Sequence, residues 1–348
     1  MTETQNTPHP ANGSAAVIIG RWQIFHKGHE TLLDAALATA EHVIVVIGSA
    51  YCARDVRNPF NWQEREAMIR SCLAPDELAR VKFLNIRDYY NDESWNSAVL
   101  EGVHQLTGGG ATTLVGFMKD HTSYYQTNFP NWARKEVRQA FSIDATSLRN
   151  VFFEGKDPDA RIEVLRPYVS TAVLNYLQAW ARLPVYGERV KEHLAVVAYR
   201  KRWDADVYLT ADTVLCAAGH VLLVRRGGEV GYGLWAIPGG FLNPGERFYS
   251  GALRELYEET GFRTLESTMK AAFKGSQVFD HPARSARGRL ITNAFFFDLG
   301  NVRLPEVKGA DDALEAKWVP IEDLPTFESI LFEDHTTILG AFVGAWQR

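Results

Sequence analysis

The stretch that most limits what this chain can fold into runs from Gly240 to Phe262. It reads Gly240-Phe-Leu-Asn-Pro-Gly-Glu246, then seven residues, then Arg254-Glu-Leu-Tyr-Glu-Glu-Thr-Gly261-Phe262. On a helix turning about 100° per residue, Arg254, Glu255, Glu258 and Glu259 fall within one arc of about 140°. Leu253, Leu256 and Tyr257 lie opposite. The apolar side can dock on a sheet, which leaves three carboxylates and a guanidinium facing one cleft. Carboxylates this close raise each other's pKa unless a cation sits among them. Hard oxygen ligands suit Mg²⁺, with a substrate's own phosphates completing the shell. A merely solvated acidic face would not need Gly240, Glu246, Arg254 and Gly261 in register with it.

At 348 residues the chain exceeds one average domain, so two are expected. A formal net charge of −5 gives no attraction to a polyanion, which sets non-specific nucleic-acid binding aside. Cys52, Cys72 and Cys216 form neither a CxxC pair nor a disulfide framework, as in a reducing compartment. The first thirteen residues are polar, lack the basic and apolar regions of a signal peptide, and read as a loose tail. No apolar run approaches membrane-spanning length, so a cytoplasmic protein without membrane contact is expected.

Ala15–Gly20 is a short apolar run ending in glycine, the pattern of a buried parallel strand. A helical pattern follows from Glu30 to Ala40, then a second buried strand from His42 to Gly48. Asn61–Leu73 reads as helix, Val81–Ile86 as strand, Ser94–Leu106 as helix and Thr113–Gly116 as a fourth strand. This alternation predicts a doubly wound parallel sheet, whose ligands sit beyond the carboxyl ends of the strands. The loop there is Gly20-Arg-Trp-Gln-Ile-Phe-His-Lys-Gly-His29. Gly28 allows a tight turn, free N–H groups at the next helix start can face an anion, and His26 and His29 can donate to phosphate oxygens.

That loop resembles the first motif of the HxGH nucleotidyltransferases, in which the histidines hold ATP phosphates. Ile143-Asp-Ala-Thr-Ser-Leu-Arg149 resembles their second motif, with Asp144 where the family usually has Ser. A carboxylate there repels a triphosphate, so Asp144 must point away or meet a cation. Between the motifs lie Asn58-Pro-Phe-Asn-Trp-Gln-Glu-Arg65, Asp88 to Trp95, Lys119-Asp120 and Phe129-Pro-Asn-Trp132. With the Gly240–Phe262 stretch, which resembles the Nudix box without mismatch, these are similar to bifunctional bacterial enzymes. Such enzymes join a nicotinamide-mononucleotide adenylyltransferase to a C-terminal Nudix domain.

The resemblance implies an α/β chain with a Rossmann-like nucleotidyltransferase domain followed by a Nudix α/β/α sandwich. By it, Gly20, Arg21, His26, Gly28, His29, Lys119, Thr146 and Arg149 serve the ATP and mononucleotide site. Asp88 and Trp95 help place the mononucleotide, Trp95 against its pyridine ring; packed aromatic and turn-residue roles stand as their alternatives. The reaction implied is transfer of AMP from ATP to nicotinamide mononucleotide, with Mg²⁺ at both sites and Mn²⁺ able to replace it.

Ile162–Leu183 reads as helix broken by Pro184 and Gly187, and Arg189–Trp203 as a second helical stretch. The expected division is a tail over 1–14, the first domain over 15–186, a helical connector over 187–203, and the second domain over 204–348. In the second domain Thr213–Ala217 and His220–Arg225 read as a hairpin around Ala218-Gly219, with further strands at Ala294–Asp298 and Ala316–Val319. Glu255, Glu258 and Glu259 are the expected metal ligands and Gly240 lines the site. Arg284, Arg287 and Arg289, on a loop rich in phosphate-capable donors, are candidate substrate contacts. Val307–Asp312 is a source for a further ligand or a base, without assignment of either. ADP-ribose, cut to AMP and ribose 5-phosphate, is the expected substrate. NADH, a dinucleoside polyphosphate, or an ADP-ribose-sensing regulator are the alternatives, and a homo-oligomer is left open.

Overall fold

The computed structural model describes residues 11–117, 128–138, 144–155, 157–202 and 207–346. Lys119, Asp120, Ile143 and Trp203 lie outside the described residues. The chain divides into two compact units, one holding residues up to Tyr51 with Arg57–Val190, the other Cys52–Val56 with Lys191 onward.

The first unit runs β1 (Ala11–Gly20), α1 (Lys27–Leu37), β2 (Ala40–Ile47), α2 (Trp62–Arg70), α3 (Pro75–Leu78), β3 (Val81–Asn85) and α4 (Asp92–Thr107). It continues with β4 (Thr112–Gly116), β5 (Ala133–Glu136), α5 (Ala145–Phe153), α6 (Pro158–Leu165), α7 (Thr171–Trp180) and the start of α8 (Pro184–Arg202). Its strands form a five-stranded sheet in the order β3-β2-β1-β4-β5, parallel at every pairing. Alternate residues of β1 and β2 enter two different cores. Ala16, Ile18, Val43 and Val45 face α1, α2 and α5 to α7, while Val17, Ile44 and Val46 face α4. Both faces being covered is why these strands read as unbroken apolar runs.

Three boundaries differ from the sequence reading. β1 begins at Ala11, paired with Ala40, inside the expected tail. Ile162–Leu183 is two helices rather than one, since Pro167 stands between α6 and α7 and cannot supply a helical N–H. Pro184 opens α8 instead of ending a helix: the first helical position needs no N–H donor, and Gly187 lies within the same helix.

The second unit contains β6 (Tyr208–Ala217), β7 (His220–Arg226), β8 (Trp235–Ala236), β9 (Gly239–Phe241), α9 (Phe248–Thr260) and α10 (Glu266–Ala272). After them come β10 (Phe273–Phe279), β11 (Leu290–Asp298), β12 (Ala313–Pro320), α11 (Leu324–Phe327) and α12 (His335–Val343). They build a seven-stranded mixed sheet along β10-β11-β6-β7-β12, with β8 on β7 and β9 on β6. β6 and β11 are parallel and the other pairs antiparallel. The β6–β7 hairpin turns at Ala218 (φ 46°) and Gly219 (φ 75°), the double positive φ that a two-residue turn requires. Leu253 and Leu256 of α9 pack on one face of the sheet, Ile338 and Leu339 of α12 on the other. Among the described residues no helix is long and apolar enough to cross a membrane.

Candidate active sites

In the first unit, β1 hands over at Gly20 to a loop that α1 closes. His26 caps α1 in extended conformation, and its ring stacks on His29 with centroids 3.6 Å apart. A Cβ on Gly28 would lie 3.1 Å from the His26 ring, and one on Gly20 would lie 2.9 Å from Trp22, so both positions favour glycine. Trp22 is held in the left-handed region (φ 57°), and its indole Nε1 donates to the Val46 carbonyl at 2.8 Å. Arg21 next to it is exposed.

The second motif comes to this loop from 126 residues away. Arg149 is buried, and its Nη1 donates to the Gln23 carbonyl at 2.5 Å while Nη2 donates to Thr146 Oγ1 at 3.1 Å. Asp144 resolves its own anomaly by capping α5. It accepts from Thr146 N at 3.1 Å and from Ser147 N and Oγ at 3.0 Å. Burial pushes the Asp144 carboxyl up, but these donors and Arg149 hold it net below the usual range. The carboxylate is thus turned onto its own helix N-terminus.

Asp88 Oδ1 accepts from Ser49 Oγ at 3.0 Å just beyond β2, while Trp95 is half-buried with Tyr89, Phe129 and Trp132. The described geometry brings His26, His29, Thr146 and Arg149 onto one loop system. Trp95 packs near Phe129, with ring centroids 6.4 Å apart.

In the second unit β9 lies between β6 and α9, and the close approach of neighbouring atoms there favours glycine. A Cβ on Gly240 would meet Glu255 Oε1 at 2.5 Å, and one on Gly239 would collide with Asp212. Arg254 organises the acidic face. It donates from Nε to Glu246 Oε1 (2.8 Å), from Nη1 to Glu255 Oε1 (2.8 Å) and Glu258 Oε2 (2.9 Å), and from Nη2 to the Phe241 carbonyl (2.9 Å). Glu259 is buried and its Oε2 accepts from Gly239 N at 2.9 Å. Gly261 (φ 63°) ends the helix as its left-handed cap.

Burial pushes the Glu259 carboxyl well above the usual range, and repulsion from Asp312 and Glu255 adds to it. Glu255 is raised as well, by burial first, with Arg254 opposing. Each of the three glutamates keeps one oxygen that accepts no hydrogen bond among the described residues. Mutually repelling, partly desolvated hard oxygens are the donor set a divalent cation satisfies. Among the described residues no such group is already gathered at ligation distance, two of the carboxylates being held by Arg254.

The three loop arginines, the candidate substrate contacts, are each engaged within the protein. Arg284 is not an open phosphate donor: it makes a bidentate pair with Asp334, Nε to Oδ2 at 2.9 Å and Nη2 to Oδ1 at 2.8 Å, with both side chains buried. Arg287 Nη2 donates to Glu333 Oε2 at 2.9 Å, and Arg289 donates to the Asp280 carbonyl. Asp212, Glu333 and Asp334 escaped the sequence reading. Arg287 lies 46 positions from Glu333 and Arg284 lies 50 from Asp334, beyond the reach of any local pattern, and Arg284 also acts on Asp212 through its charge.

A Cytidylyltransferase-like family model matches residues 17–156 and a NUDIX domain model matches residues 200–337. Fold and sites together define a nucleotidyltransferase domain followed by a Nudix domain. A nicotinamide/nicotinic acid mononucleotide adenylyltransferase of Acinetobacter baylyi is 34% identical over 169 residues, 47% of this chain and 90% of that protein. An ADP-ribose pyrophosphatase of Methanocaldococcus jannaschii is 28% identical over 160 residues, 45% of this chain and 86% of that one. The crystal structure of a bifunctional NMN adenylyltransferase/ADP ribose pyrophosphatase from Francisella tularensis, complexed with AMP and manganese, matches with a TM-score of 0.86. It is 29% identical and covers 95% of this chain and 98% of that one. The chain belongs to the nicotinamide mononucleotide adenylyltransferase family, in the bifunctional architecture that adds a Nudix hydrolase domain. Both families use divalent metal ions.

Proposed function

We propose that this chain makes NAD⁺ from nicotinamide mononucleotide and ATP in its first unit and hydrolyses ADP-ribose to AMP and ribose 5-phosphate in its second. The observation that carries the first half is the Arg149–Gln23 bond, which joins two phosphate-gripping motifs into one loop system. The mononucleotide's 5′-phosphate attacks the α-phosphorus of ATP in line, and pyrophosphate leaves. Positioning and charge neutralisation then supply the catalysis. His26 and His29 donate to phosphate oxygens, and Arg21, Thr146 and Arg149 grip the triphosphate. Asp88 takes a sugar or base hydroxyl or amide of the mononucleotide.

In the second unit Glu255, Glu258 and Glu259 would hold the cation, and Arg254 fixes the first two in place. Mg²⁺, when bound at these carboxylates or beside the ATP phosphates, neutralises phosphate charge and, in the hydrolytic site, acidifies water. ADP-ribose is favoured because the first unit's product releases it when its glycosidic bond is broken. The test uses the purified chain with Mg²⁺. ATP plus nicotinamide mononucleotide should give dinucleotide and pyrophosphate, and ADP-ribose should be cut faster than NADH, NAD⁺ or diadenosine polyphosphates. No dinucleotide, or faster cleavage of NADH or a polyphosphate, refutes the corresponding half.

A further inference from the structure

Arg65 belongs to neither phosphate-gripping motif, yet it is only 1% exposed. It stands near the start of α2, an end where the helix dipole favours an anion over a cation. Its position is fixed on every side. Asn61 and Glu64 close a capping box at 2.8 and 2.9 Å, and Glu64 Oε1 accepts from Trp180 Nε1 at 2.8 Å. The preceding residue pair is clamped too. Gln23 Nε2 donates to the Phe60 carbonyl at 2.8 Å, and Phe60 N donates back to Gln23 Oε1 at 3.1 Å.

The guanidinium spends its donors on backbone. Nη1 donates to the Arg21 carbonyl at 2.8 Å and the Gly48 carbonyl at 2.6 Å, Nη2 to the Ser49 carbonyl at 2.9 Å, and Nε to the Asn61 carbonyl at 3.3 Å. Arg21 follows β1, and Gly48 and Ser49 follow β2, so one planar fork spans the carboxyl ends of two adjacent parallel strands. The backbone it holds is strained. Trp22 (φ 57°), Ser49 (φ 49°) and Tyr51 (φ 66°) are all non-glycine residues in the left-handed region. Such conformations persist only where surrounding contacts over-determine them.

We propose that Arg65 is a positioning residue for adenylyl transfer. It sets the gap between the loop of Arg21, on the triphosphate side, and the loop of Ser49, which carries Asp88 on the mononucleotide side through the Ser49–Asp88 bond. The inference rests on the adenylyltransferase reading given above. In-line attack needs the two phosphates at near-attack distance, so a small change in that gap affects both substrates and the chemical step together. A lysine keeps the charge but offers a point donor that cannot span three carbonyls.

The test is Arg65→Lys in the full chain, with both KM values, kcat and thermal unfolding measured beside the wild type. Arg65→Lys should raise KM for ATP and for nicotinamide mononucleotide and lower kcat, cutting kcat/KM about 10- to 100-fold. ADP-ribose hydrolysis should be unchanged. A role confined to packing would reduce the amount of folded enzyme while leaving both KM values as they were, and that result overturns the proposal. Should Arg65→Lys fail to fold, Ser49→Ala tests the same link. It should raise KM for the mononucleotide several-fold more than KM for ATP, and an unchanged pair of KM values overturns the proposal. A wild-type chain that forms no dinucleotide removes the reading beneath it, an outcome distinct from a wild-type chain that works and an Arg65→Lys variant that matches it.

Discussion

Replacing Arg284 by Met tests whether the buried pair with Asp334 is architecture or substrate recognition. Both side chains are almost wholly withdrawn from water, at 2% and 3% exposure, and the pair is bidentate at 2.8 and 2.9 Å. Removing one partner of such a pair strands the other charge, which costs about 3–5 kcal/mol. For a unit of this size that corresponds to a fall in melting temperature of roughly 6–20 °C. Burial already pushes the Asp334 carboxyl up to about 6 with Arg284 opposing, so without the arginine it stays protonated and part of the loss is recovered at acid pH. Arg284→Met with Asp334→Leu replaces both charges by apolar groups and should return most of the stability. Asp212 keeps the rescue from being complete, because burial raises its carboxyl and Arg284 is the main charge opposing that rise, ahead of the 2.5 Å bond from Thr292 Oγ1. The assay is urea and thermal unfolding, with the Nudix transition identified by its shift on adding ADP-ribose. KM for ADP-ribose is measured in parallel. A single variant within about 1 kcal/mol of wild type contradicts the burial argument. A stable double variant whose KM rises tenfold or more shows that Arg284 touches substrate after all.

Two further outcomes follow from the acidic helix face. Gly240→Ala places a methyl 2.5 Å from Glu255 Oε1, so it should abolish hydrolysis in steady-state assays while leaving dinucleotide formation intact. Arg254 and the Asn243 N–H hold the Glu246 carboxyl down at about 2. A depressed carboxylate contributes stability that is present above its unfolded pKa near 4.5 and lost as pH falls through the folded value. Melting profiles of the wild type between pH 4.5 and 2 should therefore slope more steeply than those of Glu246→Gln.

Much of the architecture was legible because burial leaves a pattern. β1 and β2 are covered on both faces and so appear as apolar runs, and α9 divides Leu253 and Leu256 from Glu255 and Glu258 by its own periodicity. β10 was missed for the opposite reason: at the sheet edge most of Phe273–Phe279 is exposed, so no alternation marks it. Asp144 looked like a defect in a phosphate motif because its partners, the N–H groups of Thr146 and Ser147, exist only once α5 has formed. The Arg284–Asp334 and Arg65–Arg21 contacts depend on chain segments far apart in sequence, and side-chain type alone assigned those arginines to ligand or to nothing.

The central claim is that one chain carries two chemically independent sites, and a crossed assay tests it most directly. His29→Ala removes the proposed phosphate donor stacked on His26, and Glu258→Gln removes the proposed metal-binding charge held by Arg254. Each variant of the full chain is assayed for both reactions. His29→Ala should slow dinucleotide synthesis by about 10²–10³-fold and leave ADP-ribose hydrolysis at the wild-type rate. Glu258→Gln should abolish hydrolysis and leave synthesis at the wild-type rate. If either substitution depresses both reactions in folded protein, or if neither changes its own, the two-site account is contradicted.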